Sequence, residues 1–365
     1  MSVRPLNVGF VIDGQLPQWP RVWQWVRGCP SGSAVGQMRF GWVAQALNAD
    51  PVSCVRYGLF RPWQRYDAVI FLKSMNVTSQ QLAKSLRARG TRVLFDVNVD
   101  YFTPAAGTFY YDGMAPTARQ TADARRMAEL SDALIADSSH LAQVCAQHHQ
   151  QIRWVPDNVD LRLAPPHRAW PRGAKLDLLW SGEAVKLFEL LRIEGVLRKF
   201  ADRVRLVLVT NDLEALDRWF EPWKSRFTSL LAAIEHEIIP FRSIGELLKI
   251  YARGGVFISP RFLDNTYNWG HTEWKIALPM ACGRIALGSP LPSYREVAAL
   301  SGGAGLRLCA DDEAWCAALD SVFAGNFSFA AEEQAAREVV EKHYSTPVVA
   351  AAHHQFVADV CAAAS

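Results

Sequence analysis

Short apolar runs recur along the chain and alternate with longer segments in which apolar residues return every three or four positions. The short runs are rich in Val, Ile and Leu, which is typical of strands buried on both faces of a parallel sheet. The longer segments have the period of a helix and stand where crossover connections are needed. This alternation predicts an α/β protein built from doubly wound units.

The predicted elements form two sets, one in each half of the chain. In the first set we expect strands at residues 7–12, 68–72, 92–96, 133–136 and 152–155, and helices at 36–47, 79–89 and 117–130. In the second set we expect strands at residues 176–180, 204–210, 234–239, 256–259, 284–287 and 305–308, and helices at 187–200, 244–252 and 272–281. Each set predicts one Rossmann-like sheet.

Four prolines and a glycine interrupt the segment between the two sets, as expected for an extended linker. We therefore predict an N-terminal domain in residues 1–160, a linker in 161–175 and a C-terminal domain in 176–328. Helices follow in 329–365, and we expect the last of them to cross back to the N-terminal domain. A crevice between two such units is a natural place for a ligand.

Composition narrows the choice of partner and compartment. The 365 residues are 50 % hydrophobic and carry a net charge of only +3, unlike a protein that binds duplex nucleic acid. Because no stretch approaches the roughly 18 apolar residues of a membrane span, only peripheral membrane contact stays open. No leader is apparent, and the seven cysteines are scattered without a CxxC pair. We expect a cytoplasmic protein, free or bound at the inner face of the membrane; the oligomeric state is not indicated.

Four segments of the chain carry a resemblance: residues 133–141 (ALIADSSHL), 155–160 (VPDNVD), 279–284 (PMACGR) and 289–297 (SPLPSYREV). They resemble the GT-B glycosyltransferases, in particular the retaining enzymes of family 4. The first two are similar to the family's exit from the first domain, and the last two to consecutive segments of its second domain. The resemblance implies transfer of a sugar, with retention, from a nucleoside-diphosphate donor to a hydroxyl of a glycan, a lipid-linked acceptor or a small molecule. The sugar nucleotide is then a co-substrate, and no bound cofactor is implied.

The polar segment 264–275 is the richest in candidate chemistry. It lies between a predicted strand and a predicted helix, and a helix start presents unpaired N–H groups to an anion. Gly270, Thr272 and Glu273 are therefore candidate donor-binding residues, with a diphosphate against their backbone. In the alternative interpretation, Thr272 is a simple N-cap.

Two side chains of the same segment are candidates for catalysis. Lys275 would add a full positive charge to the phosphate site. His271 would donate to a phosphate oxygen or face the transferred sugar. If the segment only caps a helix, Lys275 lies instead on a solvated face.

Three further residues in the second half are candidate donor contacts. Gly182 and Lys186 follow the first strand of that half, where α/β sheets place phosphate-binding turns. Phe241 follows the third strand, in a loop that resembles the one whose backbone reads the donor base in these enzymes. A solvated lysine and ordinary packing of the phenylalanine are the alternatives.

Candidate acceptor contacts lie in the first half. A loop of small residues leads to Arg39, which would either face the crevice or form a surface ion pair. Asp96, Asn98 and Asp100 share one side if their strand continues, and Asp100 is then an acceptor contact or catalytic base. Asp100 could also cap the next turn, and His140 either contacts the acceptor or caps a helix.

Two further features of the sequence bear on ligand and metal binding. The tryptophan-rich stretch 16–26 would either stack on sugar rings, sit at a membrane surface or form a lid on its own domain. No DxD motif stands at a strand end and no His or Cys pair has ligand spacing, so no metal site is predicted.

The chain departs from family 4 at its usual pair of glutamates. Aligning residues 280–283 puts Gly270 and Leu278 at the two glutamate positions, so the contact to the donor ribose cannot be carried over. Glu273, about one helical turn earlier, is a candidate substitute. The departure favours one alternative, a non-catalytic relative that binds a sugar nucleotide or glycan. A nucleotide-sugar epimerase on the same fold is a further alternative.

Overall fold

The computed structural model describes residues 5–12, 36–51, 54–165, 175–324 and 329–363. It divides the chain into an N-terminal unit (Met1–Pro104, Pro116–Asp160 and Tyr344–Ser365) and a C-terminal unit (Ala105–Ala115 and Leu161–His343). The tryptophan-rich stretch, most of the loop before Arg39 and the centre of the predicted linker lie outside the described residues.

Six parallel strands form the sheet of the N-terminal unit, in the order β2-β1-β3-β4-β5-β6. The strands are β1 (Leu6–Ile12), β2 (Val55–Leu59), β3 (Ala68–Leu72), β4 (Arg92–Val97), β5 (Ala133–Ala136) and β6 (Ile152–Trp154). The helices are a π-helical turn at Gln37–Trp42, α1 (Val43–Ala49), α2 (Val77–Ala88), α3 (Ala118–Leu130), α4 (Ser139–Cys145) and the final helix (Thr346–Ala362).

Side-chain caps fix the helix starts in this unit. The Asn76 side chain accepts from the backbone of Ser79 to begin α2. Thr117 and Gln120 form a reciprocal capping box at α3. Ser138 caps α4 in the same way as Asn76. The final helix contributes apolar residues to the core beneath β1 and β3, although it comes from the far end of the chain.

The C-terminal unit has a second sheet of six parallel strands, in the order β12-β11-β10-β7-β8-β9. The strands are β7 (Leu176–Gly182), β8 (Val204–Thr210), β9 (His236–Pro240), β10 (Val256–Ser259), β11 (Ala286–Gly288) and β12 (Leu306–Leu308). The α-helices are α5 (Glu194–Lys199), α6 (Trp223–Ala233), α7 (Ile244–Tyr251), α8 (Thr266–Trp269), α9 (Trp274–Ala281), α10 (Pro292–Leu300), α11 (Asp312–Ala324) and α12 (Phe329–Val339). Two 3₁₀ helices (Ala184–Ile193 and Leu213–Arg218) and a π-helical turn at Val340–Tyr344 complete the list.

The two parallel sheets confirm the predicted fold class. β2 was missed because its sequence is short and contains Gly58 and Arg56, and it pairs only at the sheet edge beside β1. The predicted helix after β7 begins as a 3₁₀ helix and becomes α-helical at Glu194. None of the helices in the described ranges is long and apolar enough to cross a membrane.

Candidate functional site

The order of the strands marks one edge of the second sheet as a place for a ligand. β7 is the first strand of the unit and lies between β8 and β10. The chain therefore continues to one side of β7 first and returns later on the other side. At such a reversal the connections leave the carboxyl ends of adjacent strands in opposite directions and open a crevice. Residues that follow β7 and β10 meet at this edge.

Lys275 lies at this edge, as the second residue of α9. Its amine is 4.2 Å from the centroid of the Trp180 ring, which belongs to β7. Burial, and then the nearby charges of Arg261 and Lys186, hold the pKa of Lys275 well below its usual value. The amine thus sits among cations in a site that disfavours its own charge.

Gly182 ends β7 directly beside that amine. A Cβ atom at this position would lie 3.2 Å from the Lys275 nitrogen and 3.0 Å from the Trp180 ring. Its carbonyl is held by the Thr210 hydroxyl at 2.8 Å. The missing side chain therefore leaves room for the lysine amine against the strand end.

A buried ion pair forms the wall of the site on the β10 side. The Arg261 guanidinium donates to Glu189 Oε1 at 3.3 Å, and the Phe262 N–H donates to Glu189 Oε2 at 3.0 Å. The backbone N–H of Arg261 donates to the Ser289 hydroxyl at 2.8 Å. Burial raises the pKa of Glu189, and the positive charge of Arg261 opposes this shift. Burial by itself lowers the pKa of Arg261, but Glu189 raises it above its usual value.

His271 brings an imidazole to the same cluster. Its ring meets Tyr267 edge to face at 4.9 Å, and its Nε2 is buried without a hydrogen-bond partner among the described residues. Burial, followed by the charges of Arg261, Lys186 and Lys275, keeps the pKa of His271 well below its usual value. The ring is therefore neutral at pH 7 and offers one unused ring nitrogen.

Lys186 reaches the cluster from the 3₁₀ helix after β7. Its amine lies 5.6 Å from the centroid of the Tyr267 ring. Tyr267 therefore contacts both Lys186 and His271. The four basic side chains Lys186, Arg261, His271 and Lys275 gather around this point, and the buried carboxylate of Glu189 pairs with Arg261.

The backbone before α9 differs from the helix start that we expected at Gly270–Glu273. Asn265 caps a separate short helix, α8, and the N–H groups of Gly270 and His271 both donate to the Asn268 carbonyl. The cap residue of α9 is Glu273, whose side chain is buried, whereas Thr272 is half-buried and precedes the cap. The N–H of Gly270 therefore already donates to a carbonyl within the protein.

Phe241 lies at the end of β9, which is the outermost strand on its side of the sheet. Its N–H donates to the Thr210 carbonyl at 2.6 Å and its ring is 41 % exposed. One strand, β8, separates β9 from β7. A contact from Phe241 to a donor base therefore stays a prediction.

In the N-terminal unit, Arg39 and Asp96 form a buried ion pair. The guanidinium is 2.8 Å from Asp96 and 2.9 Å from Asp157, and it also donates to the Val155 carbonyl at 3.2 Å. Burial by itself lowers the pKa of Arg39, but Asp96 and Asp157 raise it above its usual value. This differs from the crevice-facing or surface position that we expected for Arg39, because carboxylates of two strand ends surround it.

Asp100 and His140 lie near each other in the N-terminal unit. β4 ends at Val97, so the alternation that we extended to Asp100 stops before it. One oxygen of Asp100 accepts from the N–H groups of Phe102 and Thr103, and the other is buried without a partner among the described residues. Burial lowers the pKa of His140, and the Asp100 charge opposes the shift.

Sequence reasoning missed Glu189 and Arg261. The available signal was Glu189 within the apolar run Phe188–Leu191, since a carboxylate on a buried helix face needs a cationic partner. Nothing in the sequence indicated that the partner is Arg261. No group of three or more His, Cys, Asp or Glu within the described ranges could hold a metal ion.

Several solved structures share this arrangement at low sequence identity. The chain is similar to HepE from Anabaena in complex with UDP-glucose, at 10 % identity and a TM-score of 0.62 over 98 % of this chain and 100 % of that one. A glycosyltransferase from Rickettsia africae gives 10 % identity and a TM-score of 0.62 over 98 % of both chains. Sucrose-phosphate synthase from Thermosynechococcus elongatus gives 17 % identity and 0.59 over 82 % of this chain and 74 % of that one.

These neighbours and the two Rossmann-like sheets define the class of the protein as GT-B fold. Sequence identities this low show a shared fold but not a shared substrate or mechanism. No family model matches the sequence, and no curated protein matches it. Membership of family 4 stays a prediction.

Proposed function

We propose that the protein is a glycosyltransferase that uses a nucleoside-diphosphate sugar and binds the donor diphosphate in its C-terminal unit. The observation that carries the proposal is the convergence of Lys186, Arg261, Lys275 and His271 where the strand order reverses. Basic side chains that lie this close together favour an anionic ligand, because its charge offsets their mutual repulsion while the Glu189 carboxylate is already paired with Arg261. HepE, which has the same fold, was crystallised with UDP-glucose.

The cluster suits the charge changes of sugar transfer. The bond from the anomeric carbon to the diphosphate breaks, the acceptor oxygen bonds to that carbon, and the acceptor hydroxyl loses its proton. Negative charge grows on the leaving diphosphate, and fixed cations in a water-poor site stabilise it strongly. Lys275 and Arg261 supply the charge in this proposal, and the free nitrogen of His271 serves a phosphate oxygen or the sugar.

The remaining assignments in the C-terminal unit follow from position and from the resemblance. Gly182 lets the diphosphate approach the end of β7, and Thr272 and Glu273 border the site. The resemblance further implies retention at the anomeric carbon.

We place the acceptor site in the N-terminal unit, at Asp100 and His140. The support is the buried, unpartnered oxygen of Asp100 and the nearby imidazole. The acceptor is then the hydroxyl of a glycan, a lipid-linked glycan or a small molecule.

A thermal-shift screen with UDP, ADP, GDP, CDP and dTDP tests the donor site. A ligand at 100 times its dissociation constant adds about 2.7 kcal/mol to the free energy of unfolding, so a binding nucleotide raises the melting temperature clearly. Uridine and adenosine are the matched controls, since they lack the diphosphate. If none of the diphosphates raises the melting temperature above its nucleoside, the proposal is wrong.

Binding without transfer is a second candidate, favoured by one observation. Leu278, at the position of the second family glutamate, is buried and apolar, and Gly270 stands at the first position. Release of free nucleoside diphosphate from a donor in the presence of acceptors would support transfer. Binding without release across donors and acceptors would support the second candidate, and conversion of the donor sugar without an acceptor would indicate an epimerase.

A further inference from the structure

Positive charge is concentrated in one stretch of the N-terminal unit. Residues 55–95 contain eight Lys and Arg side chains and a single acidic residue, Asp67, whereas the whole chain has a net charge of only +3. The Asp67 carboxylate accepts from the Asn7 N–H at 2.8 Å, so it is engaged within the unit. The remainder of the chain therefore carries a net negative charge.

Several of these basic side chains lie on one side of the sheet. The turn after β2 and helix α2 cover the same apolar core, to which Phe60, Tyr66, Ala83 and Leu86 contribute. The turn also contacts the segment that follows α2 directly, since the Thr91 hydroxyl donates to the Tyr66 carbonyl at 3.1 Å. Four basic side chains of the turn, of α2 and of its cap residue are called the basic face below, namely Arg61, Arg65, Lys84 and Arg89.

The basic face is not neutralised by neighbouring carboxylates. Three of its side chains are exposed, and that of Arg61 is half-buried. Within the described ranges none of the four forms an ion pair, whereas the neighbouring Arg87 and Arg92 both pair with Asp132. Helix α2 contains no Asp or Glu. The charges of the basic face are thus available to an external anion.

A tryptophan is exposed within this face. Trp63 lies between the two arginines of the turn and is 66 % exposed. The Gln64 N–H donates to the Arg61 carbonyl at 3.0 Å, which closes a β-turn with Pro62 at its second position. The Arg61 N–H donates to the Tyr66 hydroxyl at 2.8 Å, and that hydroxyl donates to Gln64 Oε1 at 2.8 Å. The Trp63 ring is therefore presented to solvent by a turn that is hydrogen-bonded at both ends.

A second apolar side chain is exposed on the same helix. Val77 is 52 % exposed and stands about two helical turns before Lys84, which places both on one side of α2. Tryptophan is favoured where water meets lipid, because its ring is largely apolar and its N–H is polar. Exposed apolar side chains among cations match the surface of an anionic bilayer, whereas a soluble polyanion would use the charges alone.

We propose that the basic face docks the protein on a membrane that contains anionic lipids, with the Trp63 ring among the headgroups and the four cations against lipid phosphates. Each basic side chain near such a surface strengthens binding about fivefold, and the tryptophan ring adds an apolar contribution. The inference is independent of the diphosphate site, because all of its residues belong to the N-terminal unit.

Cosedimentation of the full chain with lipid vesicles tests the proposal. The protein should bind vesicles of phosphatidylcholine and phosphatidylglycerol in equal amounts, bind vesicles of phosphatidylcholine alone far more weakly, and dissociate as salt is raised. Trp63→Ser should weaken binding about tenfold, because the ring no longer enters the interface. Arg61→Gln with Arg65→Gln should weaken it about fivefold for each charge removed.

Two variants of the C-terminal unit are the matched controls. Phe220→Ser removes another exposed aromatic ring, and Arg242→Gln with Arg253→Gln removes two other exposed charges. Both should bind the anionic vesicles as the unaltered protein does. Urea denaturation should give all of these variants a stability close to that of the unaltered protein, since the altered side chains lie at the surface.

Several outcomes would overturn the proposal. One is absence of binding to the anionic vesicles. Another is equal binding by Trp63→Ser and the unaltered protein, which would indicate a site for any polyanion. Equal losses in Arg242→Gln with Arg253→Gln would show that net charge alone governs binding. A dimer that Trp63→Ser converts to a monomer, without vesicle binding, would assign the face to a second copy of the chain.

The proposed function is tested separately from this inference. The thermal shift with nucleoside diphosphates should be the same in Trp63→Ser as in the unaltered protein. Failure of vesicle binding therefore leaves the diphosphate site intact, and failure of nucleotide binding leaves the membrane contact intact.

Discussion

The amine of Lys275 packs on the Trp180 ring among other cations, and its charge is the property of the site most sensitive to its surroundings. In the free protein the pKa is well below that of an exposed lysine. A bound diphosphate favours the charged form and raises the pKa again. Binding and protonation at Lys275 are therefore linked.

We predict that nucleoside diphosphate binding takes up protons, and that affinity falls as pH rises from the pKa of Lys275 in the free protein towards its higher pKa in the complex. Titration calorimetry in buffers with different ionisation enthalpies measures the uptake. Lys275→Met should reduce the uptake and weaken binding by about 1–3 kcal/mol, the range for a charged hydrogen bond. Lys249→Met, on the exposed face of α7, is the matched control. Unchanged affinity in Lys275→Met would remove this residue from the site.

Single residues also show how far sequence reasoning extends. Lys186 could be selected from the sequence because it follows the first strand of its unit, and His271 and Lys275 because they lie in the polar segment 264–275. Their convergence in one cluster could not, since it depends on the strand order. Arg261 and Arg39 illustrate the limit, because an arginine is usually exposed and nothing nearby in sequence reveals that Glu189 or Asp96 will pair with it.

At the scale of elements, the strands were predicted best. β3, β5, β8 and β10 have the predicted bounds, because each is a short, largely buried run that is mostly apolar. The region before α9 was predicted less well, since Asn265 starts a helix of its own. The place of residues 105–115 could not be predicted, because nothing in the local pattern indicates that Tyr110 and Tyr111 enter the core of the C-terminal unit.

Residues 105–115, which belong to the C-terminal unit, supply the prediction at this scale. Gly107 has a φ of +97° and forms an antiparallel bridge with Asn265, and a Cβ there would lie 1.7 Å from the Asp264 carbonyl oxygen. Gly107→Ala should therefore destabilise the protein by well over the roughly 1–2 kcal/mol that a left-handed conformation costs an alanine. Gly90→Ala is the control, because Gly90 has a φ of +81° with open space around it. Urea denaturation of both variants measures the difference, and equal losses would show that residues 105–115 can move away from Asp264 at no cost.

At the scale of the whole molecule, the final helix completes the N-terminal unit. His353 of this helix is 2 % exposed, stacks on Phe10 at 5.9 Å and meets the edge of Tyr57 at 5.8 Å. Burial, with the charges of Arg39 and His354, lowers its pKa to about 3. The His353 ring therefore stays unprotonated in the native protein at pH values below about 6.5, at which the same ring binds a proton in the unfolded chain.

The sign of the pH effect follows from that difference. Between about pH 6.5 and pH 3 the unfolded state binds the extra proton, so acid should lower the free energy of unfolding by up to about 1.4 kcal/mol per pH unit. His353→Phe should flatten the profile of melting temperature against pH over this range. His236→Gln, an exposed position in β9, should leave the profile as it is. Identical profiles for the two variants would contradict the prediction.

Residues 105–115 also limit how the chain can be divided. A fragment that starts after Asp160 would leave Phe188 and Phe262 without Tyr110, whose ring stacks on each of them. Chimeras that join the halves of two such proteins at this point would pair each C-terminal core with a foreign insert. In recombination experiments, residues 105–115 must therefore be transferred together with the C-terminal half, because the two segments form one unit.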